Sequence, residues 1–83
     1  MTAEELEQTL RDLGLHEMEV KVEGRPGHLV AVVSSPDFKD KDEAARQQQV
    51  WEYLLRRIPD QERVEVEFVF TLTPEELQAT TGG

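Results

Sequence analysis

Two histidines, His16 and His28, are the side chains best suited to metal ligation or to proton transfer near neutral pH. They stand twelve residues apart with a strand-like stretch between them. Zinc or iron needs three or four ligands, and the rest would have to be carboxylates. Acidic residues are spread along the whole chain, so they carry no ligand spacing. The plainer reading puts His16 on the surface at a strand edge and His28 at the mouth of a hairpin. The absence of cysteine excludes a thiol nucleophile, a CxxC redox pair and any thiolate-rich site built by this chain alone. Ser34 and Ser35 precede Pro36 without a G-x-S-x-G setting and read as turn residues at a strand end. Gly24 and Gly27 bracket a turn between strands and open no helix, so they form no phosphate loop. No catalytic constellation emerges, and an enzyme ranks below a binding protein.

The elements that must position these residues follow from periodicity. Thr2 with Glu5 has capping-box spacing, Leu6, Leu10 and Leu13 share a helical face, and Gly14 is placed to end that helix. Met18, Val20 and Val22 then alternate with Glu17, Glu19, Lys21 and Glu23, the pattern of a half-buried strand. A turn at residues 24–27 leads into Leu29 to Val33, continuously apolar as a central strand covered on most of both faces should be. Asp40 with Glu43, or Asp42 alone, caps a long helix reaching about Ile58, with Val50, Trp51, Leu54 and Ile58 as its buried stripe. A third strand is expected over about Arg63 to Thr71, with Val64, Val66, Phe68 and Phe70 on one face and Glu65 and Glu67 on the other. Thr73-Pro74-Glu75-Glu76 starts a last short helix.

The order αββαβα makes the first two strands a hairpin and the second and third parallel through a right-handed crossover. The predicted fold class is α/β (α+β): a three-stranded mixed sheet with helices on one face. Its other face is expected to be an acidic open surface of Glu17, Glu19, Glu23, Glu65 and Glu67. The reading is of a single domain over residues 1–78 and a flexible tail at 79–83.

Eighteen acidic residues against nine basic ones leave a formal net charge of −9 over 83 residues. That favours solubility and disfavours phosphate backbones and anionic lipid. No segment approaches the roughly 18–20 apolar residues of a bilayer span, and the acidic amino terminus is unlike a secretory signal. A cytoplasmic protein is expected. Small mixed sheets of this order include the KH fold of nucleic-acid binders, whose GxxG loop joins two helices. Here Gly24-Arg25-Pro26-Gly27 joins two strands. Lys39, Lys41, Arg56, Arg57 and Arg63 form only a modest basic cluster, more simply read as solvated helix ends.

From Gly27 onward the chain resembles the BolA family. His28-Leu-Val-Ala-Val-Val-Ser-Ser is similar to the family's second strand, which often opens on a histidine or cysteine. Phe38 through Gln47 lies without gaps on the family's F-x-G-K-[ST]-x-x-x-[RK]-[HQ] segment, with Lys41, Arg46 and Gln47 at matching positions. Gln47-Gln48-Gln49-Val50-Trp51 resembles the QQxVY of the IbaG-like branch, and Thr71 through Leu77 the TxTPEEW ending. The family's element order is the αββαβα derived above, a type II KH-like topology. Asp40 and Asp42 replace the family's glycine and serine. Glu65 stands where the family carries the histidine through which it shares a [2Fe-2S] cluster with a monothiol glutaredoxin.

The resemblance therefore implies an adaptor for a protein partner, a monothiol glutaredoxin, in iron–sulfur trafficking or regulation. His28 matches the second, variable cluster-ligand position, and Glu65, Arg46, Gln47 and Lys41 are the matching partner-facing residues. A carboxylate is a poor match for a cluster held by thiolate and imidazole, so a complete cluster site is not expected. The alternatives are a KH-like nucleic-acid-binding regulator, which the charge disfavours, and a divergent interaction module that has lost both roles. Either a monomer or a weak homodimer paired through an edge strand is consistent with this reading.

Overall fold

A computed structural model describes residues 1–81 of the chain. Helix α1 (Ala3–Arg11) starts on the expected box: the Glu5 N–H donates to Thr2 Oγ1 and the Thr2 N–H to Glu5 Oε1. It buries Leu6 and Leu10 completely. Strand β1 (Glu19–Arg25) pairs antiparallel with β2 (His28–Ser34) through a two-residue turn, Pro26-Gly27. Gly27 has φ +92°, the left-handed value that the second central residue of a type II turn needs after a proline.

A turn of 3-10 helix at Pro36–Phe38, capped by the Ser35 hydroxyl, seats Phe38 wholly inside the core. Helix α2 (Glu43–Arg57) is capped by Asp42, whose carboxylate accepts the Ala45 N–H at 2.8 Å. Its buried stripe is Arg46, Val50, Leu54 and the following Ile58, while Trp51 is only half-buried. A single helical turn, α3 (Asp60–Arg63), lies where the sequence reading began its third strand. Strand β3 (Val66–Leu72) therefore starts three residues later than expected and runs parallel to β2, giving the order β1-β2-β3. Helix α4 (Pro74–Thr81) has its own box, with Thr73 Oγ1 accepting the Glu76 N–H and Glu76 Oε1 accepting the Thr73 N–H. Residues 79–81, expected in the tail, belong to this helix, and the rest of that predicted tail lies outside the described residues.

The α+β class, the mixed sheet and the packing of α1 and α2 on one face agree with the sequence reading. The face assignments along β3 do not. Leu29 is opposite Val66 but Val30 is opposite Phe68, so Glu67 is an extra residue, a β-bulge in the parallel pair. One inserted residue exchanges the two faces for everything after it. Val66, Val69 and Thr71 face the core, and Phe68 and Phe70 face out, 45% and 46% exposed. The exchange matches what α2 presents: Gln47 Nε2 donates to the Val69 carbonyl at 2.7 Å, and the Thr71 hydroxyl donates to Glu43 Oε1 at 3.1 Å. A phenylalanine at position 71 would remove the hydroxyl that donates to Glu43, whereas the Val69 carbonyl is backbone and is present whatever its side chain.

Candidate functional site

The expected acidic open face is thus corrected. Val30 and Val32 of β2 form its half-buried floor, with Phe68 and Phe70 beside them, ring centroids 4.6 Å apart. Of the five glutamates assigned to it, Glu19 and Glu23 lie there, on β1 with Lys21 between them. Glu17 precedes the strand in a left-handed conformation, φ +43°. Glu67 is the bulge residue.

Glu65 sits just before β3, where its carbonyl accepts the Leu29 N–H at 2.9 Å. Its carboxylate accepts the Gly27 N–H at 3.0 Å and the amino-terminal ammonium of Met1 at 3.2 Å. Both families of bonds fix the start of the parallel pair to the hairpin turn. Glu65 is therefore spatially beside His28, as its alignment position implied, but its oxygens are committed to the backbone.

His28 is exposed, and its Nδ1 is 2.7 Å from Glu67 Oε1. An ionised carboxylate only accepts, so Nδ1 carries the hydrogen and a neutral ring keeps its lone pair on Nε2. That is how a carboxylate orients a ligating imidazole. Glu67 was not singled out for this role in the sequence, because alternation alone gives no sign of a bulge. Among the described residues no group of three or more histidine, cysteine or acidic side chains is placed to hold a metal. The donor set here is one imidazole, with the second family position filled by a hydrogen-bonded glutamate. It does not fit a cluster needing two ligands from this chain.

The other residues drawn from the resemblance are mostly structural. Arg46 is 7% exposed: Nε donates to the carbonyls of Phe38 and Lys41, and an Nη to the Thr71 carbonyl and Glu76 Oε1. It ties the 3-10 turn, α2, β3 and α4 together. Its spacing of four from Val50, and eight from Leu54, was the available sign of burial. Gln47 accepts the Trp51 indole N–H while capping the outer edge of β3 at Val69. Lys41 donates to Gln49. Arg57 lies over the Tyr53 ring and Arg63 pairs with Asp60.

His16 does meet a carboxylate. Asp37 accepts its backbone N–H at 2.9 Å and lies 3.0 Å from its Nδ1, while the Ser35 hydroxyl donates to the His16 carbonyl. These bonds close the segment entering β1 onto the 3-10 turn. The His16 N–H, then its ring, hold the Asp37 carboxyl below the usual range. Glu76 is lowered by the Thr73 N–H and then by Arg46, and Glu5 by Thr2. A general acid needs the opposite shift.

Fold and site together define a small two-layer α+β domain that offers a surface and, at the hairpin end, an imidazole oriented by Glu67. The structure is similar to that of a BolA homologue from Coxiella burnetii, 26% identical over 94% of this chain and 97% of the other, with TM-score 0.73. The protein XC975, solved in solution, is 33% identical over 92% of each chain, with TM-score 0.57. BolA1 from Arabidopsis thaliana, 18% identical over 89% of this chain and 93% of its own, shares the fold at TM-score 0.69. No family model and no curated protein matches the chain. The chain belongs to the BolA family. No helix among the described residues is long and apolar enough to cross a membrane.

Proposed function

We propose that this protein is a BolA-type adaptor that binds a monothiol glutaredoxin through the hairpin end of the sheet, in the context of iron–sulfur trafficking. The observation that carries the reading is His28, oriented by Glu67 and open to solvent at the position the family uses toward its partner. Glu65 holds the Gly27 N–H and so fixes the turn from which His28 projects. Its role is positioning, and it adds no second ligand.

Calorimetry of the full chain against a monothiol glutaredoxin tests this. Saturable binding is expected, weakened about fivefold by His28→Ala, the loss of one polar anchor of roughly 1 kcal/mol. Absence of binding, or indifference to His28→Ala, overturns the reading. A nucleic-acid role would instead show as binding that strengthens steeply as salt is lowered.

A further inference from the structure

The sequence of β2 asks for cover on both faces, and α1 and α2 supply it on one. On the other, Val30, Val32, Phe70 and Leu72 line a groove of about 850 Å³, closed at one end by Leu77 of α4 and bordered by Met18. Phe68 extends its apolar floor toward the hairpin. Open apolar surface of this kind on a small domain marks a docking site. We propose that this face binds a cationic amphipathic helix of a partner protein.

Charge and shape select that occupant. The groove's border carries Glu19 and Glu23 on β1, and an adjoining pocket is lined by Glu17, Glu19 and Leu77. The basic residues at the border are already matched: Lys21 is 3.2 Å from Glu23, and Arg11 is 3.3 Å from Glu7. Glu17 and Glu19 form no ion pair among the described residues. An apolar floor with unmatched carboxylates at its edge complements leucine-like anchors on one helical face and lysine or arginine beside them. A second copy would bring the same carboxylates, and a net charge of −9, against themselves. Three strands at about 4.8 Å spacing make a face comparable in width to a helix of about 10–12 Å. His28 shares the strand face of Val30 and Val32 but lies outside the groove's lining, so His28→Ala leaves the groove's own residues intact.

The test uses the full chain and fluorescence anisotropy of three synthetic helical peptides of about 18 residues, or five turns. One carries leucine on one face and lysine on the other, the second replaces lysine by glutamate, and the third replaces leucine by glutamine. Saturable binding of the leucine–lysine peptide alone is expected. It should weaken about tenfold in Phe70→Ala and in the double variant Glu17→Lys with Glu19→Lys, and be unaffected by His28→Ala. The charge variants alter exposed side chains only, so they carry the test if Phe70→Ala fails to fold. The proposal is overturned by absence of binding, by equal binding of either control peptide, or by indifference to the charge variants. Self-association abolished by Phe70→Ala also overturns it and assigns the face to a second copy. Because His28→Ala reads out separately, failure here and failure of glutaredoxin binding are distinguishable.

Discussion

Arg46 joins four segments through four hydrogen bonds to oxygens of Phe38, Lys41, Thr71 and Glu76, and its guanidinium also lies 5.8 Å from the centre of the Phe38 ring. Arg46→Ala removes the donors to the Lys41 and Thr71 carbonyls, while the Phe38 carbonyl keeps the Lys41 N–H. A loss of roughly 3 kcal/mol is expected, measurable as a lowered urea midpoint. Arg46→Lys should recover little of it, because one ammonium cannot reproduce the guanidinium's planar spread of donors. At the same scale, Glu65 shows how a position can keep its place and change its chemistry. It stands beside His28, yet its oxygens hold the Gly27 N–H and the Met1 ammonium. The sequence identified the position; only the bonds around it revealed the task.

Among the elements, the hairpin and the bulge determine what the sheet displays. Gly24 has φ +111°, and a Cβ there would collide with the carbonyl oxygen of His28. Gly27 has φ +92° but open space around it. Gly24→Ala should therefore cost about 2 kcal/mol or more, and Gly27→Ala about 1 kcal/mol, compared by urea denaturation. The larger effect belongs to Gly24 because strain and collision act together there. The helix starts were legible in advance, since Thr2, Asp42 and Thr73 cap through local bonds. The face assignment of β3 was not. Alternation from Val64 to Phe70 reads as one uninterrupted strand, whereas the pairing with β2 skips Glu67, and Thr71 turns inward to Glu43 of α2.

Across the whole molecule, acid should act through a few held carboxylates. Asp37 and Glu76 have ionisation ranges below ordinary values because the His16 N–H and the Thr73 N–H, respectively, stabilise their charged forms. Their contribution is fully present above the unfolded carboxylate range, about pH 4–4.5, and is lost as pH falls through the lower folded values. Self-repulsion of the acidic chain fades over the same interval, near the isoelectric point of about 4.5. The difference between wild type and the double variant Asp37→Asn with Glu76→Gln therefore isolates the local effect. In thermal melts from pH 7 to 3, that difference should stay level above about pH 5 and shrink below about pH 4. By itself the sequence determined helices α1, α2 and α4 and their caps, the hairpin and the strand order. These follow from spacing, capping and short connections, which are local. Only the tertiary structure decided that Phe68 and Phe70 face outward, that Arg46 is inside and that Glu67 orients His28. Each depends on the bulge or on a long-range bond, and a side chain's face cannot be assigned until its partner strand and covering helix are in place.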